Sequence, residues 1–318
     1  MFGTSHPPHV GPGIVFDKQM KPLFDQHSGG RISVDLHFSR AICSEQVCVE
    51  MMRLGQVDMG TISAANLGAF GRAVDFLTLP YLFENQMAAL PAIEGWLNDE
   101  INKLTHSQMG VHIWGWVPVC GQRQLLQDVR LVKVPGDLKG IKLRVTKSPT
   151  EFTLISDWGA VAVPYDWAAV YQGIQSGVVN GLFLPDCHLW SEKFHEIIDF
   201  STRVNGSWNL NLLVMDLERY GELPNWAGEA VDRTGVAITK EIFANDDAWL
   251  AESRKILESK GVVTFHVPNE EEVKLWRKGA VGAWVQSKGQ YDPALVTRIL
   301  NAQGKMDFMK ELEAAGAL

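Results

Sequence analysis

Lys139-Gly140-Ile141-Lys142-Leu143-Arg144-Val145 reads as a strand, Pro149 to Trp158 as a helix, and Asp166 to Ser176 as a second helix. Gly177-Val178-Val179-Asn180-Gly181-Leu182-Phe183-Leu184-Pro185 then reads as a turn into a short strand that ends in a loop. Short strands alternating with helices in this way indicate an α/β protein with largely parallel sheets, in which ligands collect at the carboxyl ends of strands.

The same rhythm extends in both directions. Upstream, a Pro/Gly-rich turn at His6 to Gly13 leads into an amphipathic helix from Ile14 to His27, stopped by Ser28-Gly29-Gly30. Arg31 to Phe38 alternates with a period of two, as a half-buried strand does. A helix from Ser44 to Leu54 precedes a strand at Val57 to Gly60 and a loop at Thr61 to Asn66, and further on a helix from Gln86 to Ser107 precedes a strand at Val111 to Trp116. Downstream, Leu210 to Met215 reads as a strand, and apolar positions recur at helical spacing from Trp226 to Ile256, ending at Gly261. That helix could approach about 50 Å at 1.5 Å per residue, with a break at Gly235 an open alternative. Val262 to Val267 is a short strand, and the remainder is helical.

The 318 residues suffice for two domains with real cores, and no apolar run nears the roughly 20 residues needed to cross a bilayer. Twenty-nine Lys and Arg against thirty-seven Asp and Glu give a net charge of -8, which disfavours nucleic acid as a partner. Met1 to Pro8 contains no basic region followed by an apolar stretch, so no signal peptide is expected within the chain. Cys43, Cys48, Cys120 and Cys187 lack metal-knuckle spacing and are too scattered for a disulfide scaffold. Cys43 and Cys48 could pair, with two buried thiols the equal alternative.

Arg144 is the residue with the most chemistry in it. Its neighbours Leu143 and Val145 point to the opposite face of the strand, and a guanidinium held in an apolar strand requires an anion, either an internal carboxylate or a ligand's. Arg123, after a strand, could supply a second cation, although its pattern is that of a solvent-facing arginine. Among eleven tryptophans, Trp167 and Trp208 lie beside loops and are candidates for a pocket wall. His6 and His9 begin no ligand pattern, so neither metal nor cofactor is expected. Phosphate-loop, dinucleotide, nucleophile-elbow and His-Glu-x-x-His motifs are all missing.

Asp137 to Val145, Val170-Tyr171-Gln172-Gly173-Ile174-Gln175-Ser176-Gly177-Val178-Val179-Asn180-Gly181 and Lys193-Phe194-His195-Glu196 together resemble the solute-binding proteins of tripartite ATP-independent periplasmic (TRAP) transporters, of the dicarboxylate-binding type. Thr4-Ser5-His6-Pro7-Pro8, Leu54 to Gly60 and Leu79-Pro80-Tyr81-Leu82-Phe83 follow the same family order. The resemblance implies a two-lobed periplasmic binding protein fold of α/β class, with mixed or largely parallel sheets and a long helix spanning both lobes. Residues 1–121 with 211–245 would form one lobe and 122–210 with 246–318 the other, closing around a small organic acid. It implies a periplasmic location, delivery to a TRAP membrane permease, and a carboxylate clamp at Arg144 assisted by Arg123. Trp167, in Pro164-Tyr165-Asp166-Trp167, would lie against the ligand body.

After Asn180-Gly181 the chain departs from the family pattern. Relatives carry Gln-Glu-Asn-Pro or Glu-Trp there, whereas this chain has Leu182-Phe183-Leu184-Pro185, which predicts an apolar wall from Phe183 and Leu184 with Trp208. An apolar or aromatic monocarboxylate is therefore the expected ligand, with a 2-oxo acid, a 2-hydroxy acid or a four-carbon dicarboxylate as the alternative. His6, Asn66, Tyr165 and Asp186 complete the candidate ligand-binding residues. A different class, a hydrolase or lyase using Asp166 or Asp186 as base on a carboxylate substrate, is the competing reading.

Overall fold

The structure, a computed structural model, describes residues 1–318. Its strands in chain order are β1 (Phe2–Gly3), β2 (Leu36–His37), β3 (Met59–Ser63), β4 (Val111–Gln122), β5 (Gln124–Gln127), β6 (Lys142–Val145), β7 (Val161–Pro164), β8 (Gly181–Leu184), β9 (Phe200–Thr202), β10 (Trp208–Asp216) and β11 (Thr264–His266). Two compact units result. The first holds residues 1–74, 93–119 and 210–247, and the second 75–92, 120–209 and 248–318. Strands β4 and β10 and the helix Asn225–Lys260 each begin in one unit and end in the other.

In the first unit the sheet order is β2-β1-β3-β10-β4, with β1 parallel to β2 and β3, and β10 antiparallel to β3. The period-two stretch Arg31 to Phe38 contributes only β2. Its start is tied instead to the preceding helix end, where Arg31 Nε donates to Ser28 O at 2.7 Å and the Ile32 N–H donates to Ser28 Oγ at 3.0 Å. The helices expected over residues 14–27 and 86–107 form, each interrupted by a π-helical segment, Phe16–Met20 and Ile93–Leu97. Pro22 and Pro91 lie beside these segments, and a proline without an N–H breaks the α-helical ladder.

The long helix runs unbroken through 36 residues, about 54 Å at 1.5 Å per residue. Gly235 is not a break. A Cβ there would stand 1.4 Å from the Trp114 carbonyl oxygen, so the glycine lets the helix backbone approach β4. His27 in turn hydrogen-bonds Thr234 at 3.0 Å through Nδ1.

The second unit is built on the order β11-β9-β5-β8-β6-β7, parallel at β6–β7, β6–β8 and β9–β11 and antiparallel where β5 meets β8 and β9. Both sheets are therefore mixed. Residues 75–92, which the sequence reading puts in the first lobe, belong here. Asp75 accepts from Ser148 Oγ at 2.5 Å and Thr150 Oγ1 at 2.8 Å, and Pro80 O accepts from Trp284 Nε1 at 3.0 Å. Strands β5, β7 and β9 were not legible, being three or four residues long with little alternation of their own.

Both cysteine pairs are disulfides, Cys43–Cys48 and Cys120–Cys187, which corrects the expectation of a chain without a disulfide framework. Topology explains the second pair. Gln124 pairs antiparallel with Leu184, so the residues just before β5 and just after β8 meet at one end of the sheet, with the two Cα atoms 6.2 Å apart. The bond closes a loop with a sequence separation of 67. Replacing both Cys120 and Cys187 with serine is expected to lower unfolding free energy by at least about 2 kcal/mol, read from urea denaturation.

Candidate ligand-binding site

Strand register sorts the second unit's candidates. Arg144 pairs with Val163 and with Leu182, and Leu182 with Leu126, so these side chains share one face with Leu184. Leu143, Val145, Phe183 and Leu125 point the other way, into a cluster around Trp158 and Trp276. Arg144 is 2% exposed. Its Nε donates to the Tyr165 carbonyl at 3.0 Å and its guanidinium carbon lies 5.6 Å from the Trp167 ring centroid, so both residues aim the fork.

Tyr165 acts on Arg144 through its backbone, while its ring lies on Gly173, where a Cβ would come within 2.7 Å of it. Trp167 is half-buried and packs edge-on against His188 and Phe194, with ring centroids 5.9 and 5.8 Å away. Arg144, near the carboxyl end of β6, thus comes together with Tyr165 and Trp167, which follow the carboxyl end of the parallel strand β7.

Arg123 is buried rather than solvent-facing, at 2% exposure. Its Nη1 donates to Phe183 O at 2.9 Å and lies 3.6 Å from Glu151 Oε2. Glu151 also accepts from the Thr146 N–H at 3.0 Å and Thr146 Oγ1 at 2.9 Å. Arg123 therefore carries an internal counter-ion. Glu151 is a residue the sequence reading missed; its signal was Ser148-x-x-Glu151, in which Ser148 Oγ caps the helix Pro149–Asp157 by accepting from the Glu151 N–H.

Three expectations are corrected. Phe183 and Leu184 cannot line one wall, because adjacent strand residues face opposite sides. Phe183 is fully buried against Trp158, with centroids 5.6 Å apart, and Leu184 joins a separate cluster with Leu182, Val170 and Phe194. Trp208 is 2% exposed and packs edge-on to Phe83 at 5.1 Å, a core position. Asp186 is fully buried, accepting from Ser201 Oγ at 2.6 Å, Arg203 Nε at 2.9 Å and Arg254 Nε at 2.9 Å, so it holds strands and helix together and presents no free base. Asp166, the other candidate base, caps a short helical turn by accepting from the Ala168 N–H at 2.9 Å.

The first unit gathers polar groups where β1 and β3 end. His6 follows β1, and its Nε2 pairs with the Asn211 side-chain amide at 3.1 Å. Burial pushes the His6 imidazole down to about 4, so at neutral pH it is uncharged and accepts from that amide. Asn66 lies in the short helix Ala64–Leu67 rather than a loop, because β3 extends to Ser63 and Ser63 Oγ caps the helix by accepting from the Asn66 N–H at 3.1 Å. Asn66 Nδ2 donates to Glu45 Oε2 at 3.3 Å, and the Ser63 N–H donates to the same oxygen at 3.0 Å. Glu45, which sequence reading also missed, is 7% exposed and has a left-handed backbone with φ 49° next to the Cys43–Cys48 bridge.

Residues 2–286 match the family model described as bacterial extracellular solute-binding protein, family 7 (DctP). A solute-binding protein of Verminephrobacter eiseniae is 27% identical over 240 residues, covering 74% of this chain and 70% of that one. The 2,3-diketo-L-gulonate-binding periplasmic protein YiaO of Escherichia coli is 25% identical over 211 residues, 65% of this chain and 62% of its own length. In structure, the chain is similar to a TRAP periplasmic solute-binding protein from Chromohalobacter salexigens with bound D-glucuronate, with a TM-score of 0.86, 18% identity and coverage of 95% of this chain and 99% of that one. With the family model spanning nearly the whole chain, the protein belongs to the bacterial extracellular solute-binding proteins of family 7 (DctP), and the Escherichia coli and Chromohalobacter relatives named above are periplasmic solute-binding proteins.

Proposed function

We propose that the protein captures a small hydroxylated organic acid, of the sugar-acid or 2-hydroxy-acid type, on Arg144 and delivers it unchanged to a TRAP membrane permease. The observation that carries this reading is the buried Arg144 fork, aimed by the Tyr165 carbonyl and flanked by Trp167. A planar guanidinium held in this way matches a carboxylate bidentately. Glu151 already neutralises Arg123, which gives Arg123 a supporting part.

The apolar or aromatic monocarboxylate expected from sequence rested on Phe183 and Leu184, and both are core residues. A hydroxylated acid is the reading that the named relatives favour instead. The ligands in the names of the Escherichia coli relative and the Chromohalobacter structure, 2,3-diketo-L-gulonate and D-glucuronate, are acids of that kind. Of the two candidate bases, Asp186 is engaged by two arginines and a serine and Asp166 caps a short helical turn, which counts against the enzyme reading. No helix is long and apolar enough to cross a membrane.

The test is thermal unfolding of the ligand-stripped protein with sugar acids, 2-hydroxy and 2-oxo acids, dicarboxylates and aromatic monocarboxylates. A hydroxylated acid at a hundred times its Kd is expected to stabilise by about 2.7 kcal/mol. It should be recovered unchanged after incubation. Stabilisation by aromatic acids alone, or turnover of the acid, would refute the proposal.

A further inference from the structure

The sheet of the first unit ends at β4, and side chains from two helices meet that edge in place of a further strand. Asn102, on the helix Asn98–Gln108, accepts from the Ile113 N–H and donates to Ile113 O, both at 2.8 Å. Thr239 Oγ1, on the long helix Asn225–Lys260, accepts from the Trp116 N–H at 2.9 Å. Because side chains span the gap, the helices stand off from the strand and leave a cavity of about 720 Å³, walled by Trp96 and Val236 as well as by polar groups. Small-molecule sites occupy roughly 300 to 1,000 Å³.

Three lining residues, Asp232, His112 and His106, form one hydrogen-bonded chain. Asp232 accepts from Tyr220 Oη at 2.7 Å and lies 2.9 Å from His112 Nε2, and His112 Nδ1 lies 3.1 Å from His106 Nε2. A carboxylate only accepts, so His112 donates through Nε2; in the uncharged imidazole Nδ1 then accepts from the His106 Nε2–H. Tyr220 stacks on His112 with centroids 3.6 Å apart and fixes its ring. The lone pair at the end of the chain falls on His106 Nδ1, which has no partner in the protein. Burial, with His112 adding to it and Asp232 opposing, lowers the His106 imidazole below its ordinary value, so that lone pair is kept at neutral pH.

The charge around the cavity is one-sided. Lys103 is paired with Glu100 at 2.8 Å, and Lys240 with Glu94 at 3.4 Å. Asp99 lines the cavity without an ion pair, and Asp232 is met by a tyrosine and a histidine rather than by a lysine or arginine. Two carboxylates and an acceptor nitrogen thus share one cavity with an aromatic wall.

We propose that this cavity binds a small organic cation, an ammonium on an apolar body, with His106 Nδ1 accepting from the ammonium, Asp99 and Asp232 facing its charge, and Trp96 and Val236 against its body. An ammonium supplies the donors that these acceptors lack, and its charge is attracted by the carboxylates and by an aromatic face. The site lies wholly within the first unit, separate from the Arg144 clamp of the second, and stands whether or not the organic-acid reading is right.

Isothermal titration of the full chain at neutral pH with phenethylamine, hexylamine and phenethyl alcohol tests this, for the parent, His106→Leu, Asp99→Asn and Arg144→Ala. At least one amine should bind saturably to the parent and equally well to Arg144→Ala, with the alcohol weaker by about 10-fold or more. His106→Leu should lose about 10-fold in amine affinity, with the fold checked by circular dichroism. Asp99→Asn changes an exposed residue that folding does not depend on, and should lose about twofold to fivefold. The bound amine should also shift the ring-proton NMR signals of His106 and His112, which loose association with the acidic surface would leave in place. Amine and alcohol binding alike, amine affinity unchanged in both His106→Leu and Asp99→Asn, a loss confined to Arg144→Ala, or no saturable binding of either amine would overturn the proposal.

Discussion

Arg144→Ala is expected to weaken capture of the organic acid by roughly 2 to 5 kcal/mol, a loss of about 30-fold to several thousand-fold, with the fold retained. Truncation removes the fork and leaves the ligand's carboxylate without its charged partner. Isothermal titration of the stripped protein reads the loss, and circular dichroism checks the fold. Arg144→Lys should recover only a small part, because a point charge on a flexible stem makes no bidentate contact and would not donate to Tyr165 O with the same geometry. Affinity unchanged in Arg144→Ala would mean that the carboxylate is held elsewhere.

Asp186→Ala should act on stability instead, by about 3 kcal/mol. Its carboxylate, fully buried, receives Ser201, Arg203 and Arg254, so its removal strands two cations and a hydroxyl at once. Breaking a buried pair from one side costs about 3 to 5 kcal/mol, and the 16% and 27% exposure of the two arginine side chains places the effect at the lower end. Urea denaturation should show the shift, and ligand affinity of the folded variant should match the parent. A variant as stable as the parent but unable to bind would return Asp186 to the ligand.

What could be read from sequence follows from the range of the interactions involved. The alternation that turns Arg144 away from Leu143 and Val145 is a local property of a strand, and the long helix announces itself through its own apolar spacing. Gly235 within that helix was ambiguous because its reason is a contact with Trp114, far away in the chain. Arg123 looked exposed since nothing nearby in sequence pairs with it; Glu151 reaches it only after β5 and the helix Pro149–Asp157 are in place. Cys120 and Cys187 meet for the same kind of reason, through the β5–β8 register. Phe183 and Leu184 show a different failure. They were read as a pair because they are adjacent, while the pleat separates them.

Asn66 and Asp186, both candidate ligand residues in the sequence, are held by different internal partners. Asn66 stays in a polar group with Glu45 and Ser63 at the end of β3, whereas Asp186 turned inward to the core. Burial of a carboxylate with two arginines cannot be distinguished from a ligand contact by residue type alone, since both need the same chemistry.

The most direct measurement titrates the stripped protein with a hydroxylated acid that stabilises it and with the neutral primary amide of the same acid. The account predicts that the acid binds, the amide fails by at least about 100-fold, and Arg144→Ala abolishes the difference. Equal binding of acid and amide would contradict it, because the carboxylate would then contribute nothing and Arg144 would be no clamp.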